Sequence, residues 1–130
     1  MPRTTVLFFQ EAPRDVPVLD WLRELRRKDR RGYAKCVARI QRSAEMGHEL
    51  RRPEADLLRG GIHELRARRG RVNYRVLYFF YGRDVVVLAC GLTKESIVPD
   101  ADVDRALRTR AAFEKDPDRH TFETELSDEG

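Results

Sequence analysis

Two predicted β-strands carry polar side chains where apolar ones are the rule. The first spans residues 62–67 and the second residues 72–81, and the alternation of a strand puts these polar residues on one face. A lysine, Lys94, stands at the end of the next apolar strand. The polar residues on this face are Glu64, Arg66, Asn73 and Arg75, and Arg68 continues the same alternation beyond the first strand. Their placement predicts a cationic surface on an otherwise apolar sheet.

Arg75 allows two interpretations, because a buried charge without a partner is too costly. Glu64 is one candidate partner, and a Glu64–Arg75 ion pair would join two strands. The other interpretation is a concave sheet face, formed by Arg66, Arg75 and Lys94, that receives a phosphodiester. The sequence leaves both open.

The second interpretation suits the cleavage of RNA by its own 2′-hydroxyl. That reaction needs neither a metal ion nor a protein nucleophile. It needs a base near the hydroxyl, cations around the transition state and a proton donor for the leaving 5′-oxygen. Arginine and lysine stabilise the charge, and a lysine whose pKa is lowered by neighbouring cations can exchange a proton. Arg68, Arg71 and Asn73 are candidates for RNA-binding contacts.

Other catalytic motifs are absent from the sequence. The three histidines are isolated and show no zinc-ligand spacing, and there is no GxSxG or phosphate-binding GxxxxGK[ST] segment. Cys90 lies within an apolar strand, where a buried and inert thiol is expected. We therefore expect no metal and no cofactor.

The composition predicts one cytoplasmic domain with a basic body and an acidic end. The 130 residues are 41% hydrophobic, which suffices for a core. The longest apolar runs are six residues, whereas a membrane span needs about 20. Two cysteines outside any CxxC motif fit a reducing compartment. Residues 1–113 contain 24 bases and 15 acids, and this excess favours a polyanionic partner.

The acidic end predicts a separate, flexible segment. Residues 114–130 contain seven acids and two bases. We expect residues 1–117 to form a single domain and residues 118–130 a flexible acidic tail. The tail could fold back and mask the basic body in cis, or it could simply be solvated and aid solubility.

Hydrophobic patterning predicts an α+β fold in the order β-α-α-β-β-β-α, with a mostly antiparallel sheet packed against an N-terminal helical hairpin and a C-terminal helix. Residues 4–10 form the first strand. The first helix is capped by Asp15 with Pro17 in its first turn, and the second ends at Gly47. Residues 48–61 are predicted to be a loop. Strands follow at residues 62–67, 72–81 and 85–92, and then a helix from Asp102 to Pro117.

The ordered motifs of residues 50–99 resemble the RelE/ParE superfamily of bacterial toxins, particularly its HigB-like, phage-related branch. The resemblance is carried by RRPEADLLRGGIHELRA, VNYRVLYFF and VVVLACGLTKESIVP, followed by a helix that opens with PDADVDRAL. It covers about half of the chain by motif, and the predicted element order agrees over residues 1–113. A RelE-like fold is implied.

The resemblance also implies a function. It implies a toxin of a type II toxin–antitoxin system: a ribosome-dependent, metal-independent mRNA endoribonuclease silenced by a cognate antitoxin, a helix-turn-helix protein of the HigA-like kind. Arg66, Arg75 and Lys94 match the arginine of the family's Glu-Leu-Arg segment, the arginine of its Tyr-Arg segment and the first lysine of its Lys-Lys pair. These are the family's phosphate-facing and catalytic positions. Glu95 replaces the second lysine, which leaves the general base open, and His120 in the tail is one alternative.

Two other functions remain open. The ParE branch of the superfamily inhibits DNA gyrase without cutting RNA. A non-catalytic nucleic-acid-binding domain would use the basic face only for backbone contacts. The GIHELR and GLTK segments favour the HigB-like branch.

Overall fold

The computed structural model describes residues 4–94 and 97–126. Within these residues one mixed sheet of six strands lies between two helical layers. The elements in chain order are β1 (Thr5–Phe9), α1 (Pro17–Lys28), α2 (Arg30–Met46), a 3₁₀ turn (Gly47–Glu49), β2 (Ala55–Arg59), β3 (Ile62–Arg69), β4 (Val72–Tyr81), β5 (Val85–Lys94), α3 (Asp100–Lys115), α4 (Pro117–His120) and β6 (Thr121–Phe122).

The sheet has the strand order β2-β3-β4-β5-β1-β6. β1 runs parallel to β5, and every other neighbouring pair is antiparallel. The predicted α+β class is confirmed. The predicted element order is wrong at two places, because it lacks β2 and it lacks α4 and β6 near the C-terminus.

β2 lies within residues 48–61, which were expected to form a loop. Its sequence, ADLLR, has weak strand propensity and no clear alternation. The strand exists because it pairs with β3, with Ala55 opposite Leu65 and Asp56 opposite Glu64. The reversal uses Gly60 and Gly61, whose φ angles of 61° and 83° suit a residue without Cβ.

Helices cover the sheet on both faces, as the apolar runs in β4 and β5 predict. On one face α1 and α2 bury Val18, Leu22, Val37 and Ile40 against the sheet. On the other face α3 buries Val103, Ala106 and Phe113 against the sheet, whose residues there include Leu77 and Phe79. The α3 face also carries the polar residues predicted to do chemistry.

One residue, Asp29, joins α1 to α2 and ties both to β4. Its carboxylate accepts hydrogen bonds from the Gly32 N–H at 3.0 Å and from the Tyr74 hydroxyl at 2.5 Å, and it pairs with Arg69 at 3.3 Å. The hydrogen bond from Tyr74 is the main cause that lowers the pKa of Asp29. Only Asp29 separates the two helices, so the turn between them is shorter than the charged stretch of residues 26–32 suggests.

The predicted cap of α1 by Asp15 is wrong. The residue at the cap position is Val16, which makes no side-chain hydrogen bond to the helix. Pro17 does begin the helix, where its missing N–H needs no partner. Asp15 instead forms a local bridge with Ala12.

Residues 117–126 pack on the body, although a flexible tail was expected from residue 118 onward. Phe122 pairs with Phe8 at the edge of the sheet, and the Gln41 side chain donates to the Leu126 carbonyl. Phe122 and Leu126 both pack against the core cluster on the hairpin face. These two apolar residues in an acidic stretch explain the difference. Residues 127–130 of the predicted tail lie outside the described residues.

Replacing Asp29 with alanine should lower the free energy of unfolding by about 1–3 kcal/mol, because one change removes a helix cap and the acceptor of the Tyr74 hydroxyl. The exposed Glu45→Ala serves as control and should change it by less than about 0.5 kcal/mol. Since folding lowers the pKa of Asp29, its contribution is complete above pH about 4 and is lost as pH falls through the folded pKa. Urea unfolding at several pH values measures both effects; equal stability of the two variants would contradict the role of Asp29.

The double variant Phe122→Ala/Leu126→Ala should lose about 1–3 kcal/mol of stability, because two partly buried apolar side chains are removed. The matched variant Glu123→Ala/Glu125→Ala removes exposed charge from the same segment and should change little. Thermal unfolding followed by circular dichroism distinguishes them. An unchanged midpoint in the first variant would show that the segment is not part of the folded body.

Candidate anion-binding cleft on the sheet

Two strands place the predicted cations side by side. In the register of β3 and β4, Arg66 lies directly opposite Arg75. Like charges in this position repel each other. The carboxylate of Glu64, two residues before Arg66, offsets the repulsion because it pairs with both arginines. Strand pairing thus brings together three residues that the sequence places on one face.

The three side chains form an ion triad in which Glu64 and Arg75 are buried. Glu64 Oε1 lies 2.8 Å from Arg66 Nε, and Glu64 Oε2 lies 3.2 Å from Arg75 Nη1. The side chains of Glu64 and Arg75 are 1% and 8% exposed, whereas that of Arg66 is 41% exposed. The Glu64–Arg75 ion pair considered from the sequence is therefore present. The triad carries one net positive charge, and Arg66 is the member of the triad that reaches solvent.

Arg75 keeps one polar atom unsatisfied. Within residues 4–94 and 97–126 its Nε has no hydrogen-bond partner, although it is buried. Buried polar groups in native proteins almost always have a partner, so an orphaned donor needs an explanation. Arg75 lines a cleft, and an anionic oxygen that reached its guanidinium would supply the missing partner.

A cleft of about 370 Å³ opens over the triad on the α3 side of the sheet. We call it the arginine cleft. It lies where the β2–β3 hairpin meets the start of α3, and its lining combines basic, acidic and apolar side chains. The basic lining residues are Arg52, Arg59, Arg66 and Arg75; the acidic ones are Asp56, Glu64 and Asp100; the apolar ones are Leu58, Ile97, Val98 and Val103.

The other predicted site residues lie two residues further along the strands than Arg66 and Arg75. Arg68 pairs with Asn73 across β3 and β4, and Asn73 pairs with Lys94 across β4 and β5. The Arg68 Nε donates to the Gly70 carbonyl at 2.8 Å, and Arg71 is exposed in the same turn. The backbone of Lys94 thus stands at the predicted place, and Glu95 lies outside the described residues.

A second, smaller cleft continues from the first. It measures about 310 Å³, and its lining includes Arg66, Arg68, Asn73 and Arg39. Arg39 reaches it from α2, where its Nε donates to the Arg66 carbonyl at 2.9 Å. Arg66 lines both clefts, so basic side chains follow one continuous path.

Sequence reasoning missed three arginines near the path: Arg39, Arg52 and Arg59. Arg39 lies on the predicted second helix, far from the strands along the chain, and the contact depends on packing. Arg52 and Arg59 fall in the predicted loop of residues 48–61. The β2 pairing that brings them to the cleft has no clear sequence signal.

His120, considered as an alternative base, lies elsewhere. Its ring stacks on Phe9, and its Nδ1 is 2.8 Å from the Gln10 carbonyl oxygen. This position is beside β1 and β6, at the opposite edge of the sheet from β3. The acidic residues Glu123 and Glu125 follow at the same edge, so the described part of the tail does not cover the arginine cleft.

Residues 4–94 and 97–126 show neither a membrane-spanning helix nor a metal-binding cluster. None of their helices has the length and apolar character that a membrane crossing requires. They also contain no cluster of three His, Cys, Asp or Glu side chains suited to hold a metal ion.

The fold and cleft define an α+β domain with a candidate anion-binding site on its sheet. The chain belongs to the family described as phage derived protein Gp49-like (DUF891), which matches residues 20–111. This is a RelE/HigB-like family associated with the toxins of toxin–antitoxin systems. The matched segment includes Arg66, Arg75 and Lys94. No curated protein matches the chain.

Replacing Glu64 with alanine should cost about 3–5 kcal/mol of stability, because it leaves Arg75 buried without its carboxylate. Glu54→Ala is the matched control. Glu54 also pairs with two arginines, Arg39 and Arg42, but its side chain is 24% exposed, so about 1 kcal/mol is expected. Chemical denaturation measures both losses. Equal losses would mean that burial of the triad has no energetic consequence.

Proposed function

We propose that this protein is the toxin of a toxin–antitoxin system and acts as a ribosome-dependent, metal-independent mRNA endoribonuclease. The observation that carries the proposal is the Glu64–Arg66–Arg75 triad at the wall of an open cleft, with an Arg75 Nε that has no partner within the part of the chain that the structure describes. Family membership supports the same role.

The reaction proceeds within the RNA strand. The 2′-oxygen attacks the adjacent phosphorus, and the P–O5′ bond breaks. A base takes the proton of the 2′-hydroxyl, and an acid supplies a proton to the leaving 5′-oxygen. Negative charge grows on the non-bridging oxygens in between, and guanidinium groups fixed beforehand stabilise it without reorganisation.

Each proposed catalytic residue has a distinct role. Arg75, held by Glu64, directs its free Nε–H toward a phosphate oxygen. Arg66 is more exposed and donates to the second oxygen with the part of its guanidinium that Glu64 leaves free. Lys94 stands one row further along the sheet, and we assign it the proton transfer to the leaving oxygen. Glu64 positions the arginines and lowers the net charge of the free cleft.

The phosphates on either side of the cleaved one are bound by residues at the ends of β3 and β4 and in the turn between these strands. Arg68, Arg71 and Asn73 contact the RNA backbone on the side of the second cleft, where Arg39 adds another cation. Such contacts position the strand and do not select its sequence.

A cognate antitoxin is the second partner. An exposed cationic cleft that binds mRNA endangers the host cell, so it requires a complementary protein that covers it or blocks its entry into the ribosome. We propose a helix-turn-helix, HigA-like protein for this role.

Controlled expression in bacteria should arrest growth and leave mRNA cut in register with the ribosome. The variants Arg66→Ala and Arg75→Gln should relieve the arrest and reduce cleavage at least about 100-fold, because each removes a donor to the transition state. The matched variant Arg23→Ala removes an exposed arginine from α1 and should stay toxic. Growth curves and mapping of mRNA 5′ ends measure the two effects.

The thermal midpoints of the purified variants show whether each remains folded. Arrest that persists in folded Arg66→Ala and Arg75→Gln would contradict the proposed site. Loss of gyrase supercoiling with intact mRNA would identify the ParE-like alternative, and absence of both arrest and cleavage would leave a nucleic-acid-binding domain.

A further inference from the structure

A further cavity lies on the other side of β2 from the arginine cleft. It measures about 490 Å³, and both imidazoles that the sequence left unassigned, those of His48 and His63, line it. The polar lining is completed by Arg51, Arg52 and Asp56, and Leu57 contributes an apolar wall. We call it the histidine pocket.

Aromatic residues of β4 orient the two imidazoles. His63 lies opposite Tyr78 in the register of β3 and β4, and their rings stack with centroids 5.2 Å apart. His48 stacks on Phe80 at 3.5 Å, and His63 meets the edge of the same ring. The imidazoles are therefore fixed at the pocket wall by flat, rigid neighbours.

The histidine pocket and the arginine cleft share a rim. Arg52 and Asp56 line both cavities and form an ion pair of 2.8 Å. Since β2 is the edge strand, no further strand separates the two cavities along its outer side. An RNA strand with one phosphate in the arginine cleft can pass this rim and place a neighbouring base in the pocket.

The chemistry of the pocket matches a nucleobase. Imidazole rings and an apolar side chain supply surfaces on which a flat base stacks. Guanidinium groups donate to carbonyl and ring-nitrogen acceptors, as arginine does to O6 and N7 of guanine. A carboxylate accepts from ring N–H and amino groups. Asp56 Oδ1 already accepts from the Leu57 N–H at 3.0 Å and Oδ2 pairs with Arg52, so guanine would use a second lone pair of Asp56 and the remaining N–H groups of Arg52.

We propose that the histidine pocket is a base-binding subsite that selects guanine next to the phosphate held in the arginine cleft. This inference rests on the proposed function, because it names how the same site recognises its substrate.

The charged and buried groups around His63 favour its uncharged imidazole, which suits contact with an uncharged nucleobase. Burial is the main cause that lowers the pKa of His63, and nearby His48 lowers it further, whereas Asp56 acts in the opposite direction. Arg51 and Arg52 are the other charged groups at the pocket. The lowered pKa favours the uncharged imidazole of His63, whose ring then presents one donor and one acceptor.

NMR of the histidine ring protons in the full chain tests the proposal, with 5′-monophosphates of guanosine, adenosine, cytidine and uridine as separate probes. GMP should shift the signals of His48 and His63 and bind at least about tenfold more tightly than the other three. His120 is an internal control, because it lies beside β1 and β6, and its signal should not move. Inorganic phosphate alone should leave all three signals unchanged.

Two substitutions sharpen the test. Asp56→Asn should weaken GMP binding about tenfold and leave AMP binding unchanged, because it removes the acceptor for the guanine N–H groups. His63→Phe keeps the stack on Tyr78 and removes the ring nitrogens, and a several-fold loss for GMP is expected. Asp20→Asn, a surface acid on α1 paired with Arg23, should have no effect.

Three results would overturn the proposal: equal shifts with all four nucleotides, shifts with phosphate alone, or no shift with GMP. A variant of Asp56 that loses only antitoxin binding would instead assign the pocket to a protein partner. The outcome is independent of catalysis. If GMP binds as described while the chain cuts no mRNA, the pocket stands and the endoribonuclease proposal fails.

Discussion

The carboxylate of Glu64 holds two arginines in the middle of a protein sheet, and the candidate site depends on this interaction. Arg66 and Arg75 are cross-strand neighbours, so each would repel the other without an anion between them. Glu64 is almost fully buried and uses both oxygens for them. The triad thereby orients Arg75, whose Nε has no hydrogen-bond partner among the described residues. A partly compensated cation is suited to accept one further anionic oxygen.

The surrounding elements make this arrangement possible. β4 is the strand that carries Arg75, and it is covered by helices on both faces. The Asp29 carboxylate accepts a hydrogen bond from Tyr74 and so holds the α1–α2 hairpin to the beginning of β4. On the other face α3 covers Leu77 and Phe79 but begins beside Arg75, so the cleft remains open there. The short β2 strand forms the outer wall and separates the arginine cleft from the histidine pocket.

Much of this fold follows from local patterning, and the part that does not depends on pairing. The apolar runs of β4 and β5 and the helical spacing of α1 are strong signals, and their bounds nearly match the sequence prediction. β2 has no such signal, because five residues of mixed character become a strand only beside β3. The packing of Phe122 and Leu126 was not predicted, because the acidic residues around them favoured a flexible tail. Arg75 was recognisable because a charge in an apolar strand demands a partner, and Glu64 lay at the correct parity. Arg39, Arg52 and the proximity of His48 to His63 come from long-range packing, which no spacing rule predicts.

The site depends on the hydrogen bond that the Arg75 Nε–H is proposed to donate to a phosphate oxygen. This hydrogen bond is tested most directly by ¹⁵N NMR of arginine Nε–H groups while the protein is titrated with an RNA oligonucleotide that is methylated at every 2′-oxygen and cannot be cut. The Arg75 Nε–H signal should shift and exchange more slowly with water as it gains a phosphate partner, together with that of Arg66. An Arg75 signal that stays unchanged while those of exposed arginines such as Arg23 and Arg27 move would contradict it.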